Sequence, residues 1–406
     1  MNKSYVHDIM SADRQISPLL ICTLSYDKET AMINSEILEI RKQFKHENSA
    51  ITKVSGCYVD GEKTIKAKFT ETFLGLPEEE TFKYFEIFKK TLSGTIGKNL
   101  INMEFPTHTE FNGGTQEFLL KLRDSELKDE ELLEEFYRKI VQLYDHVGNY
   151  LILIIYSPYD VPGKTKDKIM MEDASEEVYR FILCSICPVN LSKPGLSYND
   201  ETNLFKKRIQ DWVVGMPNNG FLFPAFNDRS TDIHNILYYT KDSEELHSDF
   251  VTQLLGCEVP MSAGGQKETF QSLIMETLGE ECEYEVVKNI HEKLNEILEE
   301  HKLKEIPEPL ILDKTEVRNL FAESGVEEEK LQELDKNYEE MAGEKVSLLA
   351  SNVANTRIFE VKTPDVVIKV NTERTDLVKT QLVEGRRCIV IEISDQVEVN
   401  GITVKA

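Results

Sequence analysis

The chain has 406 residues, of which 40% are hydrophobic, and it carries a formal net charge of −25. This length suits two to three domains with a sizeable core, and the hydrophobic content excludes a disordered chain. The negative charge repels phosphate backbones and anionic lipids, so the sequence predicts neither nucleic-acid binding nor membrane-surface binding.

Several features predict a cytoplasmic protein. The longest apolar runs, such as Leu151 to Ile155, are far too short to span a bilayer. The amino terminus places Asp8, Asp13 and Arg14 around a short apolar segment and lacks the small-residue cleavage pattern of a secretion signal. Seven cysteines, an odd number, favour reduced thiols over a disulfide framework.

Residues 1–31 show no clear periodicity and are interpreted as an amino-terminal extension. From Met32 onward the spacing of apolar residues is helical, at Ile33, Ile37, Ile40 and Phe44. Five segments, which begin at Met32, Gly56, Leu92, Leu183 and Gly220, read MINSEILEIRKQF, GCYVDGEK, LSGTIGKNLINMEFP, LCSICPVNLSKPG and GFLFPAFNDRSTDIH.

These segments resemble a family of uncharacterised bacterial proteins of clostridial type, catalogued as a domain of unknown function. The resemblance covers nearly everything from Met32 to the end, and it implies no activity, cofactor or site residue. It does imply that proteins of this kind start near Met32, so residues 1–31 are expected to come from a miscalled start codon. A peptide of the native protein that begins before Met32 would contradict this expectation.

The first predicted elements are a hairpin and two amphipathic helices. Asp60-Gly61 suits a tight hairpin turn between Thr52–Val59 and Lys63–Phe69, because both central positions of such a turn need positive φ. Glu78 to Leu92 and Leu127 to Val147 show helical apolar stripes that stop near glycines. The first stripe consists of Phe82, Phe85, Phe88 and Leu92.

Tyr150 to Tyr156 is a continuous apolar run that predicts a central strand. The following segment, Pro158 to Thr165, matches a phosphate-binding loop except at its first glycine. Pro158 stands at that position, and Pro162 removes an N–H that a phosphate cradle would use. Both departures argue against nucleotide binding at this segment.

Val178 to Leu191 predicts another strand and contains Cys184 and Cys187 in a CxxC spacing. Such a pair could be redox-active or half of a zinc site. Positions three apart on a strand point to opposite faces, however, and the chain offers no second CxxC or paired-histidine motif. Two cysteines that pack as small apolar side chains are therefore the preferred interpretation.

The segment Gly220 to Thr240 holds the candidate site. Phe221 to Phe226 and Ile236 to Tyr239 are apolar on both alternating faces and predict strands covered on both sides, although Pro224 prefers an edge or a bulge.

Between these strands lies a polar connection that is longer than usual for a hairpin and contains Asp228, Arg229, Asp232 and His234. These four side chains could act as an acid/base set with a guanidinium that holds an anionic substrate. Lys164 or Lys267 would be distant partners in such a site. The alternative is structural: Asp228 and Asp232 make local turns with the backbone, Arg229 pairs with one of them, and His234 begins the next strand.

The carboxy-terminal third changes from helices to strands. Residues 276–345 contain 22 acidic and 9 basic residues, a net charge of −13. Helices are predicted at Asp242–Gly256, Gln266–Leu278, Glu283–His301, Asp313–Ser324 and Val326–Met341. Beyond Ala342, strands are predicted at Arg357–Val361, Val366–Val370, Thr380–Val383 and Cys388–Ile393, with a last hairpin turned by Asn400-Gly401.

The sequence therefore predicts an α+β protein. We expect a main domain at residues 32–306, built on a mixed sheet with flanking helices, an acidic helical connector at 307–345, and a β-rich module at 346–406. No enzyme motif is complete, and no metal or cofactor is predicted. The leading hypothesis is a non-catalytic binding protein whose partner is another protein or a second copy. The alternative hypothesis is a hydrolase that uses Asp228, Arg229, Asp232 and His234. An exposed apolar patch on the β-rich module would favour the first.

Overall fold

The computed structural model of the protein describes residues 31–107, 113–164, 170–342, 347–393 and 397–404. The predicted extension lies outside this part except for Ala31. The α-helices, labelled α1 to α9, are Asn34–Arg41, Glu78–Thr91, Thr115–Asp124, Glu130–Leu143, Ala263–Leu278, Tyr284–Leu303, Lys314–Glu323, Glu328–Met341 and Ala350–Val353. A π-helix lies at Phe250–Leu255, and short 3-10 helices lie at Phe73–Gly75, Gly279–Glu281 and Thr372–Leu377.

The strands, labelled β1 to β20, are Lys53–Val59, Ile65–Thr72, Leu100–Glu104, Asn149–Lys164, Met170–Leu191, Leu196–Asn199, Leu204–Lys207, Trp212–Val214, Asn219–Phe223, Ala225–Asn227, Ser230–Asp232, Asn235–Thr240, Ile311–Leu312, Leu348–Leu349, Ile358–Lys362, Val367–Asn371, Val378–Val383, Arg386–Ile391, Val397–Val399 and Ile402–Val404. Helices and strands together confirm the predicted α+β class.

The main sheet has eight strands in the order β2-β1-β4-β5-β9-β12-β3, with β8 also paired to β5. All its described pairings between these strands are antiparallel, whereas the sequence predicted a mixed sheet. Short connections, such as that between β1 and β2, can join only antiparallel neighbours, because parallel strands need a crossover of a dozen residues or more.

Helices cover both faces of the main sheet. One face packs against α3, α4 and the π-helix, and the other packs against α1 and α2. The central strands are therefore buried on both sides, which confirms the prediction for Phe221–Phe223 and Ile236–Tyr239. The predicted strand Phe221–Phe226 is divided at Pro224 into β9 and β10, because the chain leaves the main sheet there.

The remaining helices form a third core. Side chains of α5, α6, α7 and α8 pack together with the segment Leu348–Val353. Asp313 begins α7 as predicted, because its side chain accepts a hydrogen bond from the backbone N–H of Glu316. The division of the chain at residues 306 and 345 stays a prediction.

Three separate hairpins, β15–β16, β17–β18 and β19–β20, make up most of the described carboxy-terminal part. This arrangement confirms the predicted β-rich module. Asn400 and Gly401 both have positive φ, at 51° and 83°, as the predicted two-residue turn requires.

Some local predictions need correction. The first hairpin exists, but its positive φ lies at Lys63 and not at Gly61, because the Asp60 side chain accepts hydrogen bonds from the N–H groups of Glu62 and Thr64 and shapes a longer turn. Helix α4 ends at Leu143 rather than at Val147.

In helix α2, Phe82 is half exposed, whereas Phe85, Phe88 and Leu92 are buried. The predicted helix at Asp242–Gly256 is confined to its second half, because residues 241–247 form bends, turns and irregular backbone before the helical residues that lead into the π-helix.

Candidate functional site

The predicted site is a tight hairpin and not the long connection that the sequence suggested. Strands β10 and β11 pair in register, and Asp228 and Arg229 form the two-residue turn between them. Both turn residues have positive φ, at 49° and 57°. A turn of this type follows the natural twist of the two strands, so the hairpin stays regular although arginine rarely adopts this backbone conformation.

Arg229 is bonded to helix α1. Its Nη2 lies 2.9 Å from Oε1 of Glu39, and its Nε lies 3.2 Å from both carboxylate oxygens of Glu39. Nη2 also donates a hydrogen bond to the carbonyl oxygen of Pro162. The sequence-based alternative paired Arg229 with Asp228 or Asp232, and the structure pairs it with Glu39 instead.

Two further side chains complete this contact between the hairpin and α1. The Tyr159 hydroxyl donates to Oε1 of Glu39 at 2.8 Å, and the backbone N–H of Arg229 donates to Glu36 at 3.2 Å. Burial raises the pKa of Glu36, and it also raises the pKa of Tyr159. Glu36, Glu39 and Tyr159 belong to no motif, so no local pattern in the sequence could identify them.

Asp232 makes local hydrogen bonds. Its carboxylate accepts from the Asn227 and Asn235 side-chain amides and from the backbone N–H of His234 at 2.9 Å. Asp228 and His234 are exposed. The structure thus brings Asp232 and His234 together through the backbone, as the local-turn interpretation expects. Whether these residues act in catalysis stays a prediction.

Glu177, on strand β5, holds the outer side of the same hairpin. It accepts hydrogen bonds from the Ser230 hydroxyl, from the Thr231 hydroxyl and from the Thr231 backbone N–H. These bonds lower the pKa of Glu177, with the Ser230 bond as the largest cause. The hairpin is therefore anchored on both sides by carboxylates from other elements.

The described residues do not form the phosphate-binding loop that the sequence suggested in part, and the structure places the proposed distant lysine partners on other elements. Residues 158–164 lie in strand β4, paired with β5, so they form no phosphate-binding loop, and Thr165 lies outside the described residues. Lys267 lies on α5, beside His291.

Cys184 and Cys187 contribute to the cores on opposite faces of the main sheet, and burial raises the pKa of both thiols. In the part of the chain that the structure describes, no cluster of three or more histidine, cysteine or acidic residues could hold a metal ion.

The structure contains a cleft of about 630 Å³ that no sequence motif had indicated, and we call it the histidine cleft. It is lined by Tyr144, Asp145, His146, Val147, Asn218, Asn219, Thr240, Lys241, Asp242, Ser243, Glu245 and His247. These residues come from three chain segments, so no sequence motif marks them. The cleft lies at the ends of β9 and β12.

The floor of the histidine cleft is a buried hydrogen-bond network. The Tyr144 hydroxyl donates to Oδ1 of Asn219 at 2.7 Å, and Nδ2 of Asn219 donates to the Tyr238 hydroxyl at 2.8 Å. The Tyr144 ring contacts both imidazoles, with ring centroids 5.7 Å from His146 and 4.8 Å from His247. Burial lowers the pKa of His146 and of His247 and so favours the neutral form of both rings.

No helix in the described residues is both long enough and apolar enough to cross a membrane. No protein with a curated description matches the chain. The model of the family described as "Domain of unknown function (DUF4317)" matches residues 32–402, and the chain therefore belongs to that family.

Proposed function

We propose that this chain is a cytoplasmic, non-catalytic interaction protein that associates with a second copy of itself. The observation that supports the proposal is an exposed amphipathic ribbon at residues 189–214, which we call the arm. Its two strands pair Val189–Leu191 with Trp212–Val214 and Leu196–Asn199 with Leu204–Lys207.

Two backbone hydrogen bonds continue the same register between these two paired segments. The Ser192 N–H donates to the Asp211 carbonyl oxygen, and the Arg208 N–H donates to the Gly195 carbonyl oxygen. Eleven residues in each strand make a ribbon about 35 Å long.

One face of the arm is apolar. Directly paired residues of an antiparallel ribbon share a face, and successive residues alternate between faces. The register therefore places Pro194, Leu196, Tyr198, Phe205 and Ile209 on one side, where the charged side chain of Lys207 accompanies them as the partner of Leu196. Phe205 is 70% exposed, and Ile209 is 83% exposed. The rings of Tyr198 and Phe205 contact each other with centroids 5.4 Å apart.

The opposite face of the arm carries the exposed basic side chains Lys193, Lys206 and Arg208. Its apolar side chains lie toward the two ends, with Leu204 at the tip and Leu191 and Trp212 next to the main sheet. Residues 189–214 carry four basic and three acidic side chains, a net charge of +1 in a chain of −25. Two such acidic copies repel each other, and the repulsion is weakest where the local charge is not negative. The arm is therefore the favoured place for two copies to meet.

The apolar faces of two arms are complementary to each other in a two-fold dimer. Five exposed side chains, two of them aromatic, offer roughly 500–700 Å² per copy, so two faces bury roughly the 1,000 Å² that a specific interface needs. The carboxy-terminal hairpins also expose apolar side chains, such as Leu382 and Ile402.

The hydrolase hypothesis remains the alternative. Arg229 and Asp232 already bond to groups of the chain itself, and this engagement favours the non-catalytic function.

The test is the molar mass in solution, measured by light scattering on the full chain. We expect twice the 46.7 kDa of one chain. Phe205→Asp places a charge on the apolar face and should weaken the dimer by at least about tenfold. Leu204→Asp is the matched control, because Leu204 is 57% exposed on the opposite face. Higher salt should strengthen the dimer by screening the repulsion between copies.

Three results would overturn the proposal. They are a monomer at all concentrations, a dimer equally sensitive to both variants, or a dimer that salt dissociates.

A further inference from the structure

The histidine cleft is lined by an imidazole, that of His247, which bonds to no other described residue. The side chain of His247 is 8% exposed, and it lines the cleft. No hydrogen bond joins its imidazole to another described residue, and its Nε2 lies 4.0 Å from Oε1 of Glu245, beyond hydrogen-bond distance. His247 lines the cleft, so its ring can bond to a molecule that enters the cleft.

The spacing of these two atoms defines what the partner must be. A neutral imidazole has one N–H donor and one acceptor nitrogen, and in the tautomer that carries its proton on Nδ1, both Nε2 and the Glu245 oxygen are acceptors. Two acceptors about 4 Å apart can both bond to one donor atom, because each N–H bond spans about 2.9 Å. A group with two or more N–H donors is therefore complementary to His247 and Glu245.

The charge of the lining favours a cation. Asp145, Asp242 and Glu245 face one basic side chain, Lys241. Asn218, which also lines the cleft, has a buried amide oxygen without a hydrogen-bond partner in the described part of the chain. Among the charged side chains of this lining, an anion would therefore find one partner, Lys241.

The cleft has a fixed floor and enough volume for a ligand larger than a bare ion. The Tyr144–Asn219–Tyr238 hydrogen bonds fix its floor, and the Thr240 hydroxyl fixes the loop that carries Glu245 by donating to the Asp242 and Glu245 carbonyl oxygens. A volume of about 630 Å³ lies within the range of small-molecule sites.

We propose that the histidine cleft binds a small organic cation with a primary ammonium group, which donates hydrogen bonds to the His247 imidazole and to the Glu245 carboxylate. This site is separate from the arm and does not depend on self-association.

The experiment is calorimetric titration of the full chain with three primary amines, 1,4-diaminobutane, lysinamide and tyramine. N-acetyltyramine keeps the phenol of tyramine and removes its positive charge. We expect at least one amine to bind and N-acetyltyramine not to bind. Glu245→Gln and His247→Asn should each weaken amine binding by at least about tenfold. The first variant removes the negative charge of the acceptor, and the second removes the imidazole that accepts the other hydrogen bond.

Glu245 is 65% exposed, so we expect the Glu245→Gln protein to fold as the wild type does. That variant therefore tests the proposal even if the His247→Asn protein fails to fold. Glu299→Gln is the control, because Glu299 is an exposed carboxylate on α6, paired with Lys302 and absent from the cleft lining. It should bind the amine as the wild type does. The proposal is overturned where no amine binds, where Glu245→Gln and Glu299→Gln bind equally well, or where zinc chloride binds and the amines do not.

Discussion

Arg229 and Glu39 form an ion pair that joins the β10–β11 hairpin to helix α1, with 2.9 Å between Nη2 and Oε1. The two side chains are only 12% and 16% exposed, and 190 residues separate them in the chain. Low exposure makes such a pair sensitive to the loss of one partner, because the remaining charge stays away from water.

We therefore expect Arg229→Ala to lower the free energy of unfolding by about 3 kcal/mol. The measurement is chemical unfolding followed by circular dichroism. Arg374→Ala is the control, because Arg374 pairs with Asp376 at the surface, with side chains 50% and 62% exposed. That variant should lose less than about 1 kcal/mol. Equal losses for the two variants would contradict a structural role for the Arg229–Glu39 pair.

Gly220 lies where two elements approach β9 closely. A Cβ atom at this position would lie 2.3 Å from the carbonyl oxygen of Cys184 and 2.6 Å from Cγ2 of Thr91. The backbone oxygen cannot move without disturbing the β5–β9 pairing, so Gly220→Ala should cost roughly 1–3 kcal/mol of stability. In Gly75→Ala the added Cβ meets only Thr72, at 4.0 Å, and this control should melt close to the wild type. A Gly220→Ala protein as stable as the control would refute the close approach.

His291 should make the protein less stable in mild acid. Burial lowers its pKa below the ordinary 6.5, and Lys267 lowers it further. The unfolded chain then binds a proton near pH 6.5 that the folded chain does not, so stability falls as the pH drops through that value.

His291→Gln removes this difference, and unfolding free energies measured on both sides of pH 6.5 should depend less on pH than in the wild type. His46→Gln, at an exposed position, should keep the wild-type dependence. An unchanged dependence in His291→Gln would show that His291 is not the group responsible.

The cysteines should differ sharply in reactivity. Cys57, Cys184, Cys187 and Cys257 are buried, whereas Cys282 is exposed. Burial raises the pKa of Cys57 to about 11 and of Cys257 to about 12, and only the thiolate reacts with alkylating reagents. Iodoacetamide labelling of the native protein, read out by peptide mass, should modify Cys282 long before the four buried thiols. Early labelling of Cys184 or Cys187 would revive the redox interpretation of the CxxC pair.

The sequence by itself determined the elements whose signals are local. Apolar residues on both faces of Phe221–Phe223 and Ile236–Tyr239 specified strands covered on both sides, and Asn400-Gly401 specified its turn because both residues tolerate positive φ. The spacing of Cys184 and Cys187 on a strand was enough to place them on opposite faces of the sheet. These properties depend on the backbone geometry of a few consecutive residues.

Only the tertiary structure decided which distant residues meet. Glu39 faces Arg229 because α1 packs over the β10–β11 hairpin, and no spacing in the sequence encodes that approach. The histidine cleft combines segments near residues 145, 218 and 244, which the order of strands in the sheet brings together. The amphipathic character of the arm likewise follows from the register of its strands. Strand order and register arise from the burial of the whole core, so a local pattern cannot specify them.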